Sequence, residues 1–338
     1  MHAWILDQSP GSYRWGSVAL PAPGPDEVQV RIVASALNHM DLWVTRGLPA
    51  PPLPHVPGAD GAGVIEAIGP SDASVVSGAA ASGVPAWSVG DEVVINPAVS
   101  CRRCAYCLAG DSPLCAQFQI LGEHRWGAHA DLVNVPVANV VAKAPGRSWE
   151  ESAAYPLCTL TAWRMLRRAR LHAGETLLVV GVGGGVSSAG VVLGRAMGAR
   201  VFATSRDQAK RRRAIELGAS DAFDSSEAFP VRADVVFENV GAATWERSIR
   251  ALAPGGRLVT CGGTAGTTVP LNLPRLFFKQ HEIIGSTMGS YAEFDTVAAL
   301  VDRGLPVIVD AVFPLASFPE ALAALEEGTQ MGKLVLRH

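Results

Sequence analysis

From residue 176 the chain alternates apolar runs with helical segments, and the first junction carries a run of glycines. Thr176–Val180 reads as an apolar strand. It leads into Gly181-Val182-Gly183-Gly184-Gly185-Val186-Ser187, and a small-residue helix over Ser187–Gly198 follows. A strand that breaks into glycines and turns straight into a helix has few ways to fold. The glycines allow a tight turn, and the helix N-terminus then offers free N–H groups and its dipole to an anion. The alternation continues with a strand at Arg200–Thr204, a basic helix at Asp207–Gly218 and a strand at Ala233–Glu238. A helix at Thr244–Ala253 is stopped by Pro254-Gly255-Gly256, and Arg257–Cys261 is the next strand. This order predicts an α/β fold with a doubly wound parallel sheet and helices on both faces.

The glycine turn is read as a dinucleotide site because it lies between a strand and a helix; alone it could be an ordinary loop. Gly181, Gly183, Gly184 and Gly185 are its backbone, and Val186 stands where G-x-G-x-x-G has its third glycine. The end of the next strand decides which dinucleotide. An acid there accepts the ribose hydroxyls of NADH, but the sequence runs Thr204-Ser205-Arg206-Asp207. Ser205, Arg206, Lys210 and Arg211 can meet a 2′-phosphate, and Asp207 is placed to cap the helix. NADPH is expected in preference to NADH. The competing reading of Arg206 and Lys210 is a solvated helix face.

Before residue 146 the pattern is different. Glu27–Val33 alternates polar and apolar residues, Gly63–Gly69 is a strand bounded by glycines, and Ser88–Ile95 is a turn entering a strand. Such dense β signals suggest a barrel-like domain. Ser71–Trp87, rich in Ser, Ala, Gly and Val, reads as a surface excursion. Trp149–Arg170 reads as helical, and the tail ends in a strand, Lys333–Arg337, that is expected to rejoin the first domain's sheet.

Four of the six cysteines lie in CRRCAYCLAGDSPLC, as Cys101, Cys104, Cys107 and Cys115, spaced C-x2-C-x2-C-x7-C. Four thiolates suit tetrahedral Zn2+, and a shell of four protein ligands leaves no position for substrate, so the ion is expected to be structural. Disulfides need an oxidising compartment, and the spacing after Cys107 does not match the bacterial iron–sulfur run. The chain has 338 residues, is 49% hydrophobic and 17% charged, and carries a net charge of -3. That balance predicts two domains and no broad basic surface for nucleic acid or anionic membrane. No long apolar run and no signal-peptide pattern is seen, so a cytoplasmic protein with a small-molecule substrate is expected.

Taken together, these motifs resemble the zinc-containing medium-chain dehydrogenase/reductase family, and most of all its quinone oxidoreductase-like branch. The carriers are the cysteine quartet, Leu37-Asn38-His39-Met40-Asp41-Leu42-Trp43, Pro57–Gly63, Leu121-Gly122-Glu123-His124, Pro156–Trp163, the glycine turn and Ile284–Met288. The resemblance spans nearly the whole chain. It implies a GroES-like β-barrel domain over 1–147 and 289–338, with a zinc lobe at about 98–116, and a Rossmann domain over 148–288. It also implies hydride transfer from a nicotinamide and a homodimer or homotetramer.

Alcohol dehydrogenases of that family hold a second, catalytic zinc. On their pattern the ligand positions fall on Asn38, on Ala59 with Asp60 beside it, and on Leu157 or, one residue on, Cys158. Alanine and leucine cannot ligate a metal. Asp60, Cys158 and Asp41 could in principle make a variant site, although a lone cysteine is more often a small buried apolar residue. Asn38, His39 and Asp41 are the candidate catalytic residues, His39 also lying by the family pattern near the cofactor phosphates. Thr161, Asn239, Gly262, Ser286 and Met288 are implied around the nicotinamide. Lys333 is a further cofactor candidate, or else a solvated lysine. The leading expectation is reduction of a quinone or an α,β-unsaturated carbonyl without a catalytic zinc. A zinc alcohol dehydrogenase with a noncanonical site and a non-catalytic NADPH-binding protein are the alternatives. Against its relatives the chain looks longer at Ser71–Trp87 and shorter at Ser220–Ala233.

Overall fold

The computed structural model describes residues 1–70 and 87–338. Apart from Trp87, the excursion expected at Ser71–Trp87 lies outside the described residues. The first part of the chain gives strands β1 (His2–Ile5), β2 (Arg14–Ser17), β3 (Glu27–Ala36), β4 (Asp60–Ile68), β5 (Glu92–Ile95), β6 (Ala98–Val99), β7 (Gln119–Ile120), β8 (Leu132–Pro136) and β9 (Val140–Ala142). Helices α1 (His39–Thr45) and α2 (Ala105–Leu108) interrupt them. Next come α3 (Trp149–Ala154), α4 (Pro156–Arg168), β10 (Thr176–Val179), α5 (Gly185–Ala196), β11 (Arg200–Thr204), α6 (Gln208–Glu216) and β12 (Asp221–Phe223). After them follow β13 (Ala233–Glu238), α7 (Trp245–Ala251), β14 (Leu252–Thr260), α8 (Leu273–Phe278) and β15 (Glu282–Gly285). The chain closes with α9 (Tyr291–Asp302), β16 (Val309–Pro314), α10 (Phe318–Glu327) and β17 (Lys333–Arg337).

Strands β12-β11-β10-β13-β14-β15 form a parallel sheet in that order. Both faces of β10 are buried: Leu177 and Val179 pack with Val191 and Leu193 of α5, while Leu178 packs with Phe202, Trp245 and Leu258. A strand covered on both sides has to be apolar throughout, which is why Leu177–Val179 shows no alternation. The chain leaves β10 toward β11 and later returns to β13 on its other side. The strand order therefore reverses between β10 and β13, and the carboxyl ends of these two strands open the crevice where such sheets bind ligands. Gly181 follows one of those ends and Asn239 the other.

Two local expectations change, and the short stretch at Ser220–Ala233 is as expected. The helix expected over Trp149–Arg170 is two helices, because Pro156 cannot continue α3 and instead starts α4. Strand β14 begins at Leu252 and takes in Pro254-Gly255-Gly256, with a register shift against β13 between Ala233 and Val235. The stretch before β13 carries the short edge strand β12 and, among the described residues, no helix.

The second sheet runs β16-β17-β3-β4-β5-β9, with β8 also on β3. Val28, Val30 and Ile32 of β3 point into a core with Ile65, Val93, Ile95, Val133 and Val135. The C-terminal β17 pairs antiparallel with β3, Val335 opposite Ala36, and Leu37 N donates to Leu334 O at 2.9 Å. That pairing brings the residue that starts β17 next to the loop that follows β3. Ala34, Ala36 and Ala62 of this sheet share one core with Leu160 and Met165 of α4 and with Phe237 of the parallel sheet, so the two bodies are welded by apolar packing. No helix among the described residues is long and apolar enough to cross a membrane.

Phe237 is fully buried in that shared core. Phe237→Ala should lower the unfolding free energy by about 3–5 kcal/mol, whereas Val89→Ala at an exposed position should change it by less than about 0.5 kcal/mol, both read by urea denaturation.

Candidate functional site

The two bodies meet at Lys333. Gly332 precedes it with φ +111, and a Cβ there would stand 2.5 Å from the Ile308 carbonyl oxygen, so only glycine suits the position. Its N–H donates to Gly183 O at 2.8 Å, which ties β17 to the glycine turn. From there the Lys333 side chain runs inward and is 4% exposed. Its Nζ donates to Leu37 O at 2.6 Å, Asn38 Oδ1 at 2.6 Å and Asp60 Oδ2 at 2.8 Å, with Cys158 Sγ at 3.7 Å. The reading of Lys333 as a solvated lysine is therefore corrected: the strand pairing of β17 aims it into the protein. Burial alone would lower its pKa, but Asp60 and Cys158 beside it outweigh burial and raise it, so the group is an ammonium at neutral pH.

The partners of this ammonium are equally occupied. Asp60 is fully buried, and its Oδ1 accepts from Leu157 N at 2.7 Å while its Oδ2 also accepts from Asn38 Nδ2 at 3.0 Å. Asn38 thus spends its amide nitrogen on Asp60 and its oxygen on Lys333, which leaves it unfit, in this arrangement, for polarising a substrate carbonyl. Burial pushes the Cys158 thiol up to about 11 against the pull of Lys333, so it is protonated at neutral pH. Ala59 is fully buried and has no donor atom, and Leu157 contributes only its backbone N–H.

Asp41 also differs from expectation. It is fully buried and accepts from Asn38 N at 2.8 Å and Gly58 N at 3.2 Å, with His129 Nε2 at 3.6 Å. These contacts fold the loop before α1 onto the segment before β4, so Asp41 is a structural pin and not a group that faces substrate; neither is it a partner of Asp60 and Cys158. His39 opens α1 and is half-buried. Burial first, then Lys333, hold its pKa below the ordinary value, which keeps the ring neutral at neutral pH.

At the glycine turn Gly181 and Gly183 have φ of +72 and +154. Gly184 is the N-cap of α5 without a capping side chain, and a Cβ there would meet nothing within 4 Å. The N-terminus of α5 therefore has no side-chain cap, which suits a pyrophosphate. A Cβ on Gly185 would lie 2.7 Å from both Cys158 Sγ and Lys333 Cδ, so this glycine is what lets the lysine pass beneath the turn. Val186, in the place of the third glycine, packs against the shared core. Beside the turn, Ser187 Oγ and the Asn239 amide lie within 3.1 Å of each other.

Asp207 caps α6 by accepting from Ala209 N at 2.6 Å and Lys210 N at 3.3 Å. Arg206 is exposed, Ser205 is buried, and Lys210 donates to the Gly328 carbonyl. Arg211 is committed to Ser205 O at 2.7 Å and Asp224 Oδ2 at 2.9 Å, so it braces the strand end. Thr161 Oγ1 lies 3.9 Å from Met288 Sδ, and Met288 is left-handed at φ +46. Thr260 Oγ1 donates to Gly262 O at 3.1 Å, Ser286 N donates to Thr260 O at 2.8 Å, and Ser286 Oγ is buried without a partner.

The four cysteine sulfurs all lie within 4.8 Å of one another, a spacing that could hold one ion. Amide N–H groups of Arg103 and Cys104 lower the Cys101 thiol to about 6, so it is largely thiolate at neutral pH. Two residues that sequence reasoning missed support the site. Arg164 of α4 is buried and pairs with Asp111 in the cysteine lobe and with Glu293 at 2.8 Å, which joins lobe, α4 and α9. Glu238, fully buried, accepts from Val240 N at 2.7 Å, Gly241 N at 3.0 Å and the hydroxyls of Thr244 and Ser248, and so shapes the loop that carries Asn239. An acid closing the apolar run Ala233–Glu238 was the available signal. A 410 Å³ crevice lined by Arg232, Arg275, Lys279 and His281, among others, lies at the opposite ends of the strands and includes none of these residues.

A family model described as alcohol dehydrogenase GroES-like domain matches residues 24–146, and one described as zinc-binding dehydrogenase matches residues 185–303. The chain is 31% identical over 336 residues to a quinone oxidoreductase of Pseudomonas aeruginosa, covering 93% of this chain and 92% of that one. It is 29% identical over 345 residues to an acryloyl-coenzyme A reductase of Metallosphaera sedula, covering 99% of each. A crystal structure of an NAD-dependent alcohol dehydrogenase superposes with a TM-score of 0.91 at 39% identity, with 100% of both chains covered.

Proposed function

Because the chain belongs to the medium-chain dehydrogenase/reductase superfamily, we propose that it is an NADPH-dependent reductase of quinones or α,β-unsaturated carbonyls that works without a catalytic zinc. The observation that carries this reading is the ammonium of Lys333 among Asn38, Asp60 and Cys158. A divalent ion there would meet a positive charge, and Ala59 and Leu157 bring it no side-chain ligand. Without a Lewis acid an alcohol keeps its high pKa and is a poor hydride donor, whereas a conjugated acceptor can take a hydride without one. The similarity to a quinone oxidoreductase and to an acryloyl-coenzyme A reductase supports such acceptors.

Bound NADPH supplies the hydride. The N-terminus of α5, from Gly184 to Val186, would hold its pyrophosphate, and Ser205, Arg206 and Lys210 its 2′-phosphate. Asn239, held by Ser187, and the segment with Ser286 and Met288 would flank the nicotinamide, with Gly262 and Thr161 beside them. Lys333 keeps Asn38 and Asp60 in place beneath the glycine turn and adds a fixed positive potential. The quartet Cys101, Cys104, Cys107 and Cys115 would hold a structural Zn2+ that shapes the lobe joined to α4 by Arg164.

The reductase reading is tested by NADPH absorbance loss with panels of quinones, enones, simple aldehydes and alcohols, with and without a chelator. Turnover of quinones or enones that persists wherever the chelator leaves the protein folded is the expected result. Turnover confined to alcohols and aldehydes, and abolished by chelation without unfolding, would overturn it in favour of a metal-dependent alcohol dehydrogenase.

Cofactor choice has its own variant. Hydrogen bonds to charged groups contribute about 1.5–3 kcal/mol, so Arg206→Ala should weaken NADPH roughly tenfold or more. NADH affinity should barely move, and equal binding of both cofactors by the parent protein would sink the preference.

A homodimer through the parallel sheet is the proposed assembly. Strand β15 is the edge of that sheet, and Phe277, Phe278 and Ile283 near it are exposed. Phe278→Glu should shift the mass measured by light scattering toward the monomer, and a parent protein that is already monomeric would refute the arrangement.

A further inference from the structure

The 410 Å³ crevice at the amino-terminal ends of the parallel strands is walled by cations, and its volume is that of a small-molecule site. Arg232 stands before β13, Arg250 near the end of α7, Arg275 in α8, Lys279 just after it and His281 before β15. Ile249, Leu252 and Pro254 give the crevice an apolar side, and among the described residues no acid lines it. The acids nearest in sequence, Glu246 and Glu282, are paired with Arg250 and Arg170. Arg275 and Lys279, four residues apart, stand one above the other at the end of α8, where like charges repel.

The backbone fixes this arrangement. Helix α8 ends in a turn at Gln280, left-handed at φ +53, with His281 N donating to Leu276 O at 3.0 Å and Gln280 N to Phe277 O at 3.2 Å. Gly255 N donates to Lys279 O at 2.8 Å and holds the first turn of β14 against the end of the helix. His281 is thereby set into the crevice wall at 9% exposure, and neither ring nitrogen has a hydrogen-bond partner of normal geometry. The backbone of Ala253 approaches the ring without reaching that geometry. Buried polar atoms left unpaired cost free energy that a bound ligand recovers.

We propose that this crevice binds a small molecule with a phosphoryl group and an apolar part, at a second site remote from the glycine turn. Guanidinium groups match phosphate oxygens in paired hydrogen bonds, and the Lys279 ammonium adds a point charge. The His281 ring offers one N–H and one acceptor nitrogen to the same group, and Ile249, Leu252 and Pro254 receive the apolar part. Strand β13, six residues long, separates the two sites by roughly 20 Å, so a ligand in the crevice is clear of the cofactor.

The probe is phenyl phosphate, titrated at constant ionic strength into protein that carries its quartet zinc and is saturated with NADP+, or with NAD+ if that is the nucleotide it binds. The nucleotide fills the glycine turn, so the outcome does not depend on which cofactor is preferred or which acceptor is reduced. Binding is read by calorimetry and by the imidazole nitrogen–proton NMR spectrum, with the His281 line assigned from His281→Asn. One phenyl phosphate per chain is expected, with a shift of the His281 line and weaker binding of inorganic phosphate. Arg275→Gln/Lys279→Gln should weaken binding roughly tenfold or more. Arg167→Gln/Arg303→Gln removes the same charge from exposed positions outside the crevice and should leave binding unchanged. Absence of binding, an unmoved His281 line, or equal weakening by both double variants would overturn the proposal, and inorganic phosphate binding as tightly as phenyl phosphate would overturn its apolar part. If His281→Asn does not fold, calorimetry of the two double variants decides alone. Should Arg275→Gln/Lys279→Gln instead lower the mass seen by light scattering while phenyl phosphate does not bind the parent protein, the crevice is filled by a second copy of the chain and the proposal is overturned.

Discussion

One buried ion pair, Lys333 with Asp60, holds the junction of the two bodies. Buried pairs are weak evidence for stability when compared with apolar packing of the same shape. Removal of one partner alone is a different matter and costs about 3–5 kcal/mol, because the other charge is stranded. Here the pair is fully bonded: Asp60 also accepts from Leu157 N and Asn38 Nδ2, and the ammonium reaches two further oxygens. Four pieces of chain that are distant in sequence must arrive together for this to hold: the loop before α1, the start of β4, the start of α4 and the start of β17. A one-residue slip of β17 against β3 would turn Lys333 to the other face of its strand. The pair therefore also sets the register of the last strand, and through Gly332 the distance between that strand and the glycine turn.

Much of the architecture was legible in the sequence, for a simple reason. In the second half each strand is a short apolar run and each helix has a polar or glycine boundary, and Arg200–Thr204 and Ala233–Glu238 coincide with β11 and β13. Asp207 as a helix cap was equally readable, because an aspartate at the mouth of a helix satisfies N–H groups locally. The site was legible only where its chemistry is local. The cysteine quartet falls within one short stretch, and its convergence was visible from spacing alone.

What was missed is non-local. Lys333 could be read only as a cofactor candidate or a solvated lysine, because nothing in Gly332-Lys333-Leu334 reveals that β17 pairs with β3 and aims the side chain inward. Asp41 looked like a pocket residue because it stands near Asn38 in sequence, yet its carboxylate is spent on backbone N–H groups of Asn38 and Gly58. Arg164 and Glu238 were overlooked for a related reason. Each is a charged residue in an apolar context, where buried charge is tolerated only with partners, and the partners lie at distant positions such as Asp111 and Glu293 or in a loop whose shape depends on them. Burial of polar groups is thus the point at which local pattern reading stops being informative.

The nature of the cation decides what the site can do. A bound metal ion can change its coordination and accept a substrate oxygen as a new ligand, and this is how it lowers the pKa of an alcohol or water. An ammonium has three N–H groups and no more, and all three of Lys333 already point at protein oxygens. It cannot take a substrate oxygen without giving up one of them. Its contribution is therefore a fixed field, present before substrate arrives and unchanged by it, which is the preorganised kind of electrostatic assistance. A field of that kind favours charge that develops near it and needs no ligand exchange. The same argument disfavours alcohol oxidation, where the bond to the cation is the step that creates the alkoxide. The hydride transfer to an electron-poor acceptor proposed above is a chemistry that a fixed field of this kind can assist.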